Sequence, residues 1–94
     1  MTEGKLRKLI QDLGDTPQAI ADQLKAFDCK GERGEHDRCP IANYLRTKGA
    51  LFVSVAESSI EVTDDVRGAE IPTPGAALAF LELFDAGQFK ELEA

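Results

Sequence analysis

Both cysteines and the only histidine of this chain lie in one short stretch, CKGERGEHDRCP, which ends at Pro40. Zinc prefers thiolate and imidazole ligands, so the C-x6-H-x2-C spacing of Cys29, His36 and Cys39 makes these residues candidate metal ligands. A nearby carboxylate or a water molecule would complete the four ligands of a structural site. The strongest zinc signatures place two ligands on one tight turn, and only His36-x2-Cys39 resembles such a pair. A zinc-binding structural or sensing module is therefore our alternative hypothesis.

The same three residues allow other interpretations. A Cys29–Cys39 disulfide would close a small loop, but the reducing cytoplasm disfavours it. A Cys39 thiolate beside His36 would be a nucleophile–base pair, yet no third orienting group or oxyanion-hole motif accompanies it. The remaining interpretation is structural, with Cys39 as a small buried residue at a helix start. No phosphate-binding loop, dinucleotide fingerprint or hydrolase motif occurs either, so we predict no catalytic residue, no enzyme and no cofactor.

Three helices are predicted in the first half of the chain. Gly14 would end the first helix, Pro17 would open the second after a cap at Asp15 or Thr16, and Pro40 would open the third. The charged segment 28–39 separates the second helix from the third and is predicted to be an exposed, irregular loop. The apolar stripes have helical spacing and comprise Leu6, Leu9, Ile10 and Leu13, then Ile20, Leu24 and Phe27, then Ile41, Tyr44 and Leu45.

The second half changes to a period of two. The segment LFVSVAESSIEV, residues 51–62, predicts a β-hairpin with Leu51, Val53 and Val55 on its inner face, and residues 69–71 could add a third strand. A last helix follows, with Thr73 as its N-cap and an almost wholly apolar sequence from residue 76 to residue 84. The prediction is one α+β domain over residues 1–94, with three N-terminal helices, a small antiparallel sheet, a hydrophobic C-terminal helix and a flexible end at 93–94.

Charge is distributed unevenly. The net charge is −6, and residues 51–94 hold two basic against nine acidic residues. A protein that binds nucleic acid usually has a basic stripe, and none is visible, so we predict no nucleic-acid partner. No apolar run approaches the roughly 18 residues that span a bilayer, and no secretory signal opens the chain, so we predict a cytoplasmic protein with no membrane contact. The acidic half is either a solvated surface or a surface for a basic partner.

The motif CPIANYL at residues 39–45, the hairpin VSVAESSIEV and the terminal pattern FDAGQFKEL occur in this order. In this arrangement the chain resembles small proteins of actinobacteria and their phages that have no assigned activity. The resemblance covers roughly residues 15–92. It implies that the Cys-Pro at the helix start is a structural cap, and it implies no substrate, cofactor or catalytic residue.

The leading hypothesis is a small, acidic, non-enzymatic protein, regulatory or accessory in role, that acts by binding another protein. The expected contact surface includes Leu78 and Leu83 on the flank of the last helix and Phe52 on the sheet, because exposed apolar side chains and sheet edges recruit partners. The protein itself would be a monomer or a homodimer.

Overall fold

The computed structural model describes residues 1–94 and confirms the α+β class. Three α-helices come first, a three-stranded antiparallel sheet follows, and a fourth α-helix and a short 3₁₀-helix end the chain. In order, the elements are α1 Glu3–Leu13, α2 Pro17–Ala26, α3 Pro40–Thr47, β1 Phe52–Val55, β2 Ser59–Thr63, β3 Gly68–Pro72, α4 Gly75–Asp85 and the 3₁₀-helix Lys90–Leu92.

Side-chain caps set where α2 and α3 begin, as predicted. The Thr16 hydroxyl accepts the Ala19 N–H at 3.1 Å, and Pro17 is the first residue of α2. At α3 the Cys39 sulfur accepts the Ala42 N–H at 3.4 Å, and Pro40 takes the first helical position. Proline is favourable there because its missing N–H would have no helical partner.

The sheet has the order β1-β2-β3 and is covered by helices on one face only. α3 contacts β1 and α1 contacts β3, while α4 packs on α2. Strand side chains alternate, so every second residue of each strand points into the core. The inward residues are Val53, Val55, Ile60, Val62, Ala69 and Ile71, and the third strand that the sequence suggested is present.

α4 supplies the centre of the core. Its residues Ala77, Phe80, Leu81 and Phe84 are buried, and the Phe80 ring stacks on Phe84 and on Phe89. Burial of two phenylalanine side chains removes several hundred square ångströms of apolar surface from water, on the order of 2 kcal/mol each. The almost wholly apolar sequence of residues 76–84 therefore belongs to a helix at the centre of the core.

The start of α4 differs from the prediction. The helix begins at Gly75 with Pro74 in the N-cap position, and no side chain caps it. The Thr73 hydroxyl instead donates to the Ala56 carbonyl at 2.6 Å, at the turn between β1 and β2. Thr73 therefore links the start of α4 to the turn between β1 and β2 instead of capping the helix.

Two predicted inward residues are exposed. Leu51 precedes β1 and is 56% exposed, so it lies outside the alternation of the strand. Phe27 follows α2 and is 49% exposed. Its ring stacks on Tyr44 at 5.6 Å between centroids, with the Lys48 ammonium 5.5 Å from the Phe27 centroid. Phe27 thus covers Tyr44 at the surface instead of entering the core.

The charged loop 28–39 is irregular and mostly exposed, as predicted, but it is also fixed at several points. Cys29 and Gly31 are buried. The Gly31 N–H donates to the Leu92 carbonyl at 2.8 Å, and its carbonyl accepts the Ala94 N–H at 2.9 Å. The last two residues, expected as a flexible end, are therefore held to this loop: Ala94 by its hydrogen bond to Gly31, and Glu93 by an ion pair with Arg33 at 3.2 Å.

Candidate functional site

The three candidate zinc ligands do not form one cluster. Cys29 is buried beside the end of α2, where its thiol lies 3.7 Å from the Phe27 carbonyl, whereas Cys39 caps α3. His36 is exposed, and its Nδ1 lies 3.3 Å from the Ser54 hydroxyl. No three His, Cys, Asp or Glu side chains are close enough together to hold a metal ion, and both cysteines are free. The geometry gives the zinc hypothesis no support.

The thiols are in environments that suppress their reactivity. Burial raises the pKa of Cys39 to about 11, although the Ala42 N–H opposes the shift by hydrogen-bonding the sulfur. Burial, and next the charge of Asp28, also raise the pKa of Cys29. A nucleophilic cysteine needs a thiolate at neutral pH. Both thiols are protonated there, so the structural interpretation of Cys39 is the one that its surroundings favour.

The three residues expected at a protein-binding surface lie on different parts of the molecule. Leu78 is half-buried on α4 and lines a cleft that it shares with His36. Leu83, on the same helix, is 40% exposed. Phe52 is 73% exposed on β1 and does not line that cleft. Among the three, Phe52 has the largest exposed fraction.

The sheet face opposite the helices is uncovered. Its residues come from alternate positions of all three strands, and the strand pairing arranges them in three rows. From the β1–β2 turn towards the β2–β3 turn, these rows are Ser59 with Pro72, then Ser54 with Glu61 and Glu70, then Phe52 with Thr63 and Gly68. We call this surface the open face.

Two carboxylates oppose each other at the centre of the open face. Glu61 of β2 pairs in register with Glu70 of β3, and both are exposed. Hydrogen bonding to Glu70 and the charge of its carboxylate raise the pKa of Glu61. Like charges directly opposite in a sheet are destabilising. No Lys, Arg or His lies within 4.0 Å of either carboxylate, so nothing inside the molecule compensates this repulsion.

Three exposed apolar residues lie in or next to the last row of the open face. Phe52 belongs to the last row of the sheet, Leu51 precedes it, and the turn between β2 and β3 carries Val66. Their exposed fractions are 73%, 56% and 75% respectively, the three highest among the large apolar residues of the chain. Exposed apolar residues that occur singly need no explanation, but a group at one end of a sheet is typical of an interaction surface.

Asp64 fixes the turn that carries Val66. Its Oδ1 accepts the N–H groups of Val66 at 2.8 Å and Arg67 at 2.9 Å, and its Oδ2 pairs with the ammonium group of Met1. The hydrogen bond from this ammonium group and those from the two amides hold the pKa of the Asp64 carboxyl well below its ordinary range. The turn is therefore an ordered part of the apolar end of the open face.

Phe52 was among the surface residues expected from the sequence, whereas Glu61, Glu70 and Val66 were not. The period of two places Glu61 and Glu70 on the polar face of their strands, but only the register between β2 and β3 sets them opposite each other. The signal that was available was a glutamate at an outward position in each of two adjacent strands.

No protein-family model matches this chain, and no curated protein and no solved structure is significantly similar to it. None of its helices is both long and apolar enough to cross a membrane.

Proposed function

We propose that this protein is a non-enzymatic binding protein that takes a basic segment of another protein on its open face. The observation that carries the proposal is the uncompensated Glu61–Glu70 pair beside the exposed side chains of Leu51, Phe52 and Val66. A lysine or arginine of a partner would compensate the paired carboxylates, and an adjacent apolar residue would cover Phe52. Enrichment of exposed aromatic residues is typical of protein interfaces.

Charge complementarity favours a basic protein over other partners. Nucleic acid would bring phosphates against Glu61 and Glu70, and a second copy of this chain on the same face would bring two more carboxylates. A single charge pair 4 Å apart is worth about 1 kcal/mol in water and about 4 kcal/mol where the surroundings are partly desolvated. The binding free energy is therefore most favourable when the partner's cation lies between the two glutamates and an apolar contact shields it from water.

The surroundings of the cysteines and the histidine support a non-enzymatic role. Cys39 is 2% exposed and burial raises its pKa to about 11, and the one side-chain hydrogen bond of His36 is to the Ser54 hydroxyl. Neither residue is arranged as a nucleophile with its base. The regulatory or accessory role predicted from the sequence is part of this proposal.

Capture of partners from a native lysate, followed by amide hydrogen exchange on the captured complex, tests the proposal. We expect wild-type protein to retain a partner that protects β2 and β3, and the double variant Glu61→Gln/Glu70→Gln to lose it. The matched control is Glu3→Gln/Asp22→Asn, which removes the same charge from exposed positions of α1 and α2. This control should retain the partner.

A second pair of variants tests whether the partner binds the open face or the flank of α4. Phe52→Ser should weaken capture, and Leu83→Glu should leave it unchanged. Retention of the partner by both open-face variants would overturn the proposal, as would protection confined to α4. Loss with Leu83→Glu alone would assign the contact to the helix flank instead.

A further inference from the structure

A cleft of about 260 Å³ opens beside the sheet. It lies between the loop residues 34–36, the end of β1 with the following turn, and one side of α4. Its floor is apolar and is formed by Val55, Leu78 and Leu81, with Cys39 beneath. Pockets for small organic ligands usually exceed roughly 300 Å³, so the cleft suits a single side chain.

Carboxylates surround the apolar floor. Glu35, Glu57, Glu82 and Asp85 all line the cleft. Asp85 accepts the Gly34 N–H at 2.9 Å, and Glu35 lies 3.9 Å from the Arg38 guanidinium. Glu57 and Glu82 have no cation within ion-pair distance. The rim therefore presents two free carboxylates above an apolar base.

The cleft and the open face are neighbours. The His36 ring lines the cleft, and its Nδ1 lies 3.3 Å from the Ser54 hydroxyl. Ser54 in turn is the register partner of Glu61 on the open face. Adjacent strands are about 4.8 Å apart, and an extended chain advances about 3.3 Å per residue. A segment lying across the open face reaches the cleft within a few residues of the Glu61–Glu70 pair.

We propose that this cleft receives a lysine or arginine side chain of the same basic segment that binds the open face. The inference rests on the proposed function and adds a second anchor point for that partner. Long basic side chains bury their aliphatic part on apolar surface and keep the charged head at a polar rim. Leu78 and Leu81 offer that surface, and Glu57 and Glu82 take the head.

The probe for this site is n-butylguanidinium, which reproduces the arginine side chain without a peptide. Titration of the ¹⁵N-labelled protein, followed by NMR, should give saturable shifts at Gly34, Glu57 and Glu82. The affinity of one side chain should be weak, about millimolar. n-Butanol, which has the apolar part but no charge, should give no saturable shift at these residues.

Matched variants show whether n-butylguanidinium binds in the cleft. Glu82→Gln should weaken butylguanidinium binding roughly tenfold, the equivalent of about 1.4 kcal/mol. Glu61→Gln, on the open face, should leave it unchanged. Leu78→Lys places a cation in the cleft and should abolish probe binding, with the far-ultraviolet circular dichroism spectrum as the check on folding.

The two proposals fail in different ways. Absence of saturable shifts, equal binding of n-butanol or no effect of Glu82→Gln would overturn the cleft assignment and leave the open face standing. If the captured partner still binds the Glu82→Gln variant as tightly as wild type, the cleft is not its anchor. If the probe enters the cleft but partner capture is insensitive to Glu61→Gln/Glu70→Gln, the proposed function is wrong.

Discussion

Gly31 is the residue whose replacement tests most directly how the charged loop 28–39 is held. A Cβ atom at this position would lie 2.5 Å from the Arg38 carbonyl oxygen and nearer still to backbone atoms of Cys39 and Pro40. These atoms belong to the start of α3, where the proline ring restricts the backbone. On its other side, Gly31 is hydrogen-bonded to Leu92 at 2.8 Å. An alanine at 31 therefore has to displace one of the two backbone segments.

The expected cost of Gly31→Ala follows from these contacts. Overpacking a close contact costs about 1–3 kcal/mol, and loss of the two backbone hydrogen bonds to the C-terminal residues adds about 1 kcal/mol each. We expect about 3–5 kcal/mol in total. A domain of this size is stable by about 5–14 kcal/mol, and each kcal/mol shifts its melting temperature by about 4–8 °C. The variant should thus melt at least about 12 °C below wild type.

Thermal and denaturant unfolding, followed by circular dichroism, measure this change. Gly75→Ala is the matched control, because Gly75 has no atom within 4 Å of its Cβ position and lies at the start of α4. That change should be neutral or stabilising by up to about 1 kcal/mol, since alanine loses less backbone entropy in a helix. A Gly31→Ala protein that melts within a few degrees of wild type would show that the loop is not packed between α3 and the C-terminal residues.

Three further predictions concern ionisable groups. Glu61→Gln should raise the free energy of unfolding at pH 7, because Glu70 raises the pKa of Glu61 and the charged pair opposes folding. This gain in stability should shrink as the pH falls through the raised pKa, since Glu61 of the wild type then becomes neutral. Asp64→Asn should lower the free energy of unfolding at pH 7, because the lowered pKa of Asp64 contributes stability that is lost progressively as the pH falls below the ordinary pKa of an aspartate. Urea unfolding at several pH values measures both effects. Cys39 should be alkylated by iodoacetamide only slowly at pH 7, because a pKa of about 11 leaves roughly one thiolate in ten thousand, and the rate should rise in denaturant.

Each of these has an opposite outcome that would count against the reasoning. A pH-independent effect of Glu61→Gln would mean that the two carboxylates do not interact. Equal acid sensitivity of wild type and Asp64→Asn would remove Asp64 from the groups that stabilise the turn. Fast alkylation of the native protein would show that the cysteine cap of α3 is open to solvent.

The sequence predicted the elements whose signals are local. Thr16 with Pro17, and Cys39 with Pro40, mark helix starts through groups only a few residues apart, and the structure places α2 and α3 there. Thr73 was misassigned because its partner, the Ala56 carbonyl, lies 17 residues away in the chain. No local pattern reports such a contact.

The candidate site could not be predicted from local sequence patterns, because it too depends on contacts between residues far apart in the chain. The polar alternation of β2 and β3 placed Glu61 and Glu70 outward, but their opposition depends on a register that is fixed by the turn held by Asp64. The cleft depends on still longer contacts, because Gly34 reaches Asp85 across 51 residues. Composition alone indicated an acidic half without saying where its charges meet.

The arrangement of the open face suggests why the second half of the chain is acidic. A surface that only keeps a protein soluble gains nothing from setting two glutamates in register, since the same net charge spread apart avoids the repulsion. At Glu61 and Glu70 the folded protein carries that repulsion beside its most exposed apolar side chains. A basic partner of the kind proposed would neutralise the paired carboxylates and cover the apolar side chains in one contact. Stability of the free protein and affinity for the partner should therefore change in opposite directions on Glu61→Gln, and a variant that raises both would contradict the assignment of this face as the binding surface.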